Sequence, residues 1–221
     1  MHLADARDVA RLLDAGNVAL YPSDTCYGVA VRPFFPCLTQ TLDVALGRRG
    51  EKISLGFYDL SQVETSFSLQ VPERELLDDP ERPAVTVVAY PRRRTDRDLA
   101  KTHLFSDGSV GVRVSGSGIE RQLARVVGGP LTTIAVRDGA GAPITDLPAA
   151  HDVVETSLQR IGWPGEIAVI DARRIRADDV STVVRLETGG FRVLRPGAGD
   201  DAVRDAQRSR AARNVRHWER P

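Results

Sequence analysis

The stretch Val18-Ala19-Leu20-Tyr21-Pro22-Ser23-Asp24-Thr25-Cys26-Tyr27-Gly28-Val29-Ala30-Val31 decides how the chain is read. Two apolar runs flank a polar loop. Val18 to Tyr21, bounded by Gly16 and Pro22, has the length and the boundaries of a buried strand. Val29 to Val31 is rich in β-branched residues and reads the same way. Between them stand Ser23, Asp24, Thr25 and Tyr27, then Gly28. A turn needs only Gly, Pro, Asn or Asp. Two hydroxyls, a carboxylate and a phenol exceed that need. Two readings follow: a functional loop, or a connection whose hydroxyls cap backbone groups.

Upstream, Ala6, Val9, Ala10, Leu12 and Leu13 recur near helical spacing, with Asp5 as cap and Gly16 as stop. A helix followed directly by a strand begins an α/β arrangement. Downstream, Pro33 and Pro36 mark a loop, and a helix is expected from Leu38 to about Leu46. Strands are expected over residues 53–60, 84–90, 110–114, 167–171 and 180–184, and helices over 119–127 and 147–161. Residues 61–82 read as a polar connection poor in helix. Arg113 stands inside the apolar run Val110-Gly111-Val112-Arg113-Val114, which is costly unless an anion meets it. The alternative is an edge-strand arginine facing water.

Bulk properties narrow the classes. With 221 residues the chain fits one large domain, or a domain with a tail. Thirty basic residues balance thirty acidic ones, so no global field draws nucleic acid, and an anion site must be a local cluster. Two cysteines, Cys26 and Cys37, are too few for a disulfide framework or a zinc cluster. The histidines at 2, 103, 151 and 217 are scattered, so no metal-ligand set is expected. No phosphate-loop lysine motif occurs. No run reaches membrane-spanning length and the start lacks a signal-peptide pattern, so a cytoplasmic protein is expected.

Pro22-Ser23-Asp24-Thr25-Cys26-Tyr27-Gly28 resembles the P-[TS]-[DE]-T-x-Y-G signature of the Sua5/YrdC/YciO family. Other segments follow in family order. Leu46-Gly47-Arg48-Arg49-Gly50-Glu51-Lys52 resembles the K-x-R-x-x-x-K/N segment, with Leu46 in place of the first lysine. Arg82-Pro83-Ala84-Val85-Thr86 keeps the threonine of P-G-P-x-T, and Ser115 replaces the proline of V-G-V-R-x-P. Pro130 to Gly139 resembles P-L-x-x-T-S-A-N-x-S-G, with Ala135 at the serine and Arg137 at the asparagine. Val180-Ser181-Thr182-Val183-Val184 resembles S-T-V-V-D, Arg185 standing for the acid, and Leu194-Arg195-Pro196-Gly197-Ala198 resembles the L-R-P-G-A ending.

The resemblance implies one α/β domain over residues 1–199, a twisted mixed sheet with flanking helices and a large basic cavity. The segment 200–221 is then a basic tail, helical or disordered. Members of the family make threonylcarbamoyl-adenylate from threonine, bicarbonate and ATP with Mg2+, for a t6A-type tRNA modification. Carried over residue by residue, Arg48, Lys52 and Arg113 are the catalytic cations. Thr25 meets the amino-acid end, and Thr86, Ser181 and Arg195 line the nucleotide. Tyr27, Thr133, Arg137 and Thr182 are further substrate-binding residues. Two alternatives stay open: a divergent nucleotide- or RNA-binding relative without synthesis, and a specialised-metabolism enzyme acting on another amine or carbamoyl acceptor. A monomer or homodimer fits either.

Overall fold

The first strand carries apolar side chains on both faces, and such a strand needs cover on both sides. It has that cover. In β1 (Val18–Pro22), Val18 and Leu20 face one cluster with α2 (Pro36–Ala45) and α6 (Leu147–Arg160). Ala19 and Tyr21 face another with α1 (Ala6–Asp14) and α5 (Gly118–Val127). The structure, a computed structural model, describes residues 5–48, 52–78, 84–92, 107–171, 175 and 179–218. Readings that fell on Arg49, Gly50, Glu51, Arg82 and Pro83 lie outside them.

Among the described residues the sheet has ten strands. β2 (Tyr27–Ala30) pairs antiparallel with β1, from Ala19↔Ala30 to Pro22↔Tyr27, so Ser23 to Cys26 are the loop of a hairpin. The path runs β10 (Gly190–Arg195), β9 (Thr182–Glu187), β5 (Val85–Pro91), β6 (Val110–Val114), β3 (Ser54–Phe57), β7 (Leu131–Ala135), β2, β1, β8 (Ile167–Val169), with β4 (Phe67–Ser68) on β5. Pairs β1/β8, β3/β6 and β5/β9 are parallel and the rest antiparallel, giving the mixed sheet expected.

The expected cap is seen: Asp5 accepts from the Arg7 and Asp8 N–H groups at 2.8 and 3.0 Å. Residues 61–82 correct the reading, because two short helices stand there. In α3 (Leu60–Ser66), Asp59 accepts from the Gln62 N–H at 2.8 Å. In α4 (Val71–Leu77), the Glu73 carboxylate turns back to the Gln70 N–H at 2.7 Å and Pro72 stands in the first turn. Each is seven residues long, too short to show a periodic apolar face. Both cover a third cluster with Leu55, Phe57, Val87, Val112, Val184 and Phe191. Asp200–Trp218 forms α7, whose Val203 is buried in that cluster. No helix among the described residues is long and apolar enough to cross a membrane.

Since Leu55, Phe57, Val87 and Val112 point into this cluster, the alternating residues Ser54, Gly56, Thr86, Gly111 and Arg113 face the other way. All but Arg113 are small, and they leave that face of the sheet hollow above it. A Cβ at Gly111 would stand 2.8 Å from Ser54 Oγ.

Candidate functional site

The hollow face becomes a recess of about 450 Å³, its open mouth included. The Ser23–Cys26 loop closes one side. Ser23 Oγ accepts from the Thr25 and Cys26 N–H groups, both at 3.1 Å, and donates to the Cys26 carbonyl at 2.7 Å. The capping reading thus holds for Ser23. Thr25 faces the recess, its Oγ1 3.1 Å from Ser23 Oγ.

The floor is Arg113. Its Nη2 donates to Asp24 Oδ1 and, at 3.3 Å, to Ser115 Oγ; its Nε lies 3.5 Å from Glu120 Oε1. Asp24 Oδ2 accepts from the Ala84 N–H at 3.1 Å and the Gly116 N–H at 3.0 Å. One carboxylate therefore joins the start of β5, the end of β6 and the hairpin loop. Burial would raise the Asp24 carboxyl, but the Arg113 charge and these bonds outweigh it and hold it below its ordinary value. Burial raises Glu120; Arg113 opposes this and Asp24 adds to it. Burial would lower Arg113, yet the two carboxylates keep it above its ordinary value. Ala84 holds a left-handed φ of 67°, a conformation glycine adopts more readily.

The mouth carries three more cations. Gly47, with φ of 67°, ends α2 and turns the chain so that Arg48 reaches the rim. Arg48 Nε lies 3.4 Å from Asp43 Oδ1, and Nη2 donates to the Lys52 carbonyl at 3.2 Å. Lys52 is exposed. Arg195 lies along the Ser181 backbone, donating through Nη2 to its carbonyl at 2.7 Å and its Oγ at 3.1 Å. Two residues on, Gly197 lies against the same segment, where a Cβ would stand 2.2 Å from the Val180 carbonyl oxygen.

Thr25, Arg48, Lys52, Arg113, Thr133, Ser181 and Arg195 are thus brought to one recess. Thr133 also donates to the Ser54 carbonyl at 3.1 Å. Tyr27, Thr86, Thr182 and Arg137 do not line it. Tyr27 is buried in the cluster of α2 and α6. Thr86 lies behind Ser181, hydroxyl to hydroxyl at 3.0 Å. Thr182 donates to Asp200 Oδ1 at 2.6 Å and accepts from the Gly199 N–H, holding the start of α7. Arg137 forms a β-bridge with Pro143. Ala135 lines the recess, whereas Leu46 packs against the α2/α6 cluster. Sequence reasoning did not single out Asp24, Ser54 or Glu120 as site residues. The signal for an acid was present in Arg113, whose burial demands one.

The profile of the Sua5/YciO/YrdC family, described as telomere recombination, matches residues 11–197. The chain belongs to the Sua5/YciO/YrdC family. Solved structures of similar fold include E. coli YciO, 18% identical over 88% of this chain and 90% of that one, with a TM-score of 0.72. P. abyssi Sua5 complexed with L-threonine is 20% identical over 87% of this chain and 54% of its own, with a TM-score of 0.69. Full-length HypF in its phosphate- and nucleotide-bound form is 17% identical over 89% and 29%, with a TM-score of 0.66. The chain therefore spans nearly all of YciO and about half of Sua5. No curated protein matches it. In this family member the signature loop and the Leu194–Ala198 ending meet across the recess, through Thr25 and Arg195.

Proposed function

We propose that the recess binds ATP and that the chain is a threonylcarbamoyl-adenylate synthase-like enzyme. One observation carries the reading: Arg48, Lys52 and Arg195 ring a hollow whose walls are hydroxyls of Ser23, Thr25, Ser54, Thr133 and Ser181. Cations with hydroxyl donors suit the phosphates of a nucleotide and the carboxylate of an amino acid. Sua5 with L-threonine and HypF with phosphate and nucleotide lend support from the same fold.

In this reading the amino nitrogen attacks bicarbonate, releasing water and leaving an N-carboxy group. Its oxygen then attacks the α-phosphorus of ATP, and pyrophosphate leaves. Thr25 receives the amino acid. Arg48 and Lys52 neutralise phosphate oxygens, and Arg195 and Ser181 flank the nucleotide. The chain supplies position and charge rather than a nucleophile. No group of three or more His, Cys, Asp or Glu that could hold a metal occurs among the described residues. Magnesium is proposed as the ion carried on ATP, and no step is assigned to it.

A second reading is nucleotide binding without synthesis. Leu46 is committed to the apolar core and Ala135 offers the recess no hydroxyl. Pyrophosphate release, measured with ATP, bicarbonate and a panel of amino acids and amines, separates the two. Release with threonine supports the synthase, and release only with another amine assigns a different acceptor. ATP binding without release with any acceptor supports the second reading.

A further inference from the structure

Arg113 is met by two carboxylates where one would neutralise it. The Arg113, Asp24 and Glu120 side chains are 6%, 3% and 0% exposed. Asp24 is fully engaged by Arg113 and two backbone N–H groups. Glu120 differs. Neither of its oxygens makes a well-formed hydrogen bond, although the Ser115 hydroxyl lends weak support. It is closely packed, since a Cβ at Gly56 would stand 2.6 Å from Glu120 Oε1. The other titratable groups acting around it are Asp24, Arg113 and Tyr21 of β1, whose phenol burial keeps neutral. Two bare negative charges on one cation leave a net charge in a closed space, and such a charge is neutralised by a proton.

We propose that Glu120 is held as the neutral acid and is the positioning residue for Arg113, so that the recess floor carries no net charge. Asp24 and Ser115 take Nη2 and Glu120 faces Nε, which leaves Nη1 as the remaining donor of a guanidinium that lines the recess. That donor is offered to an anionic group of the ligand. An ionised Glu120 would make the floor negative and turn the same group away. The ligand part of this inference rests on the nucleotide reading; the proton does not.

The first test needs no ligand. The infrared difference between wild type and Glu120→Gln near neutral pH shows a carboxylic C=O band if Glu120 is protonated. Denaturation from about pH 5 to about pH 8 then shows wild type losing stability relative to Glu120→Gln, because the folded chain keeps a proton that the unfolded chain releases. No band, with parallel stabilities, overturns the proposal. The second test is ATP affinity by calorimetry. Glu120→Gln keeps it within about twofold, and Glu120→Leu, which removes the group at Nε, lowers it about tenfold. A gain of about tenfold in Glu120→Gln, the mark of an ionised acid removed from an anion site, overturns the proposal. Unchanged affinity in a folded Glu120→Leu overturns the positioning role. If Glu120→Leu does not fold, Glu120→Gln and the band decide. If wild type binds no ATP, the nucleotide reading fails, and band and stability slope still decide the state of Glu120.

Discussion

The floor and the mouth of the recess hold the same kind of side chain in opposite circumstances. At the floor Arg113 is buried between Asp24 and Glu120 and ties three segments together. At the mouth Lys52 is exposed, Arg48 lies beside Asp43, and Arg195 donates to the Ser181 carbonyl and hydroxyl. A cation taken out of water must first be matched by the protein itself. One left exposed at the rim, as Lys52 is, keeps its charge for whatever arrives. The floor should therefore govern stability, and the mouth binding.

Asp24→Ala tests this most severely. It leaves Arg113 beside an uncharged gap and orphans two N–H groups, so denaturant titration should show a loss of about 3–5 kcal/mol. A loss under about 1 kcal/mol would erase the distinction, because that is the worth of a surface pair. At the mouth, Lys52→Ala should leave the denaturation midpoint unchanged and weaken ATP by about 1.5–3 kcal/mol in calorimetry. Unfolding with intact affinity would reverse the assignment.

Between the two lies the Arg195 strand ending. Gly197→Ala should cost about 1–3 kcal/mol of stability, because the new Cβ strikes the Val180 carbonyl and forces the backbone beneath Arg195 to move. ATP affinity should fall with it, and thermal melting with calorimetry reads both. The smallest effect is expected at Ala84→Gly. Relief of the left-handed φ, about 1 kcal/mol, is partly offset by glycine's greater freedom when unfolded. The variant should melt slightly higher; a lower melting temperature would show that the Ala84 methyl packing matters more than its strain.

Much of the fold is legible from local cues. The β1–β2 hairpin follows from two apolar runs around a polar loop, and α1 from its apolar spacing and the Asp5 cap. The helices α3 and α4 were missed because their evidence lies in capping groups, Asp59 and the Gln70/Glu73 pair, rather than in periodicity. The site was legible in part. Motif order pointed to residues that meet at the recess, yet Tyr27, Thr86 and Thr182 share those motifs and are committed elsewhere: Tyr27 to the core, Thr86 to the Ser181 hydroxyl and Thr182 to the Asp200 carboxylate.

Arg113 shows where the boundary lies. Its place in an apolar strand stated a condition: if buried it must be met by an anion, and if not it faces water from a sheet edge. That demand is a property of one side chain and its neighbours. Which anion answers it depends on groups 89 residues upstream and seven residues downstream, at Asp24 and Glu120. Only the pairing of β3 with β6, the seating of α5 beside Gly56 and the folding back of the hairpin loop bring those groups within bonding distance. Charge and burial are local demands that a sequence states; proximity across the chain is what folding supplies, and it decided that the buried arginine's first partners are the protein's own.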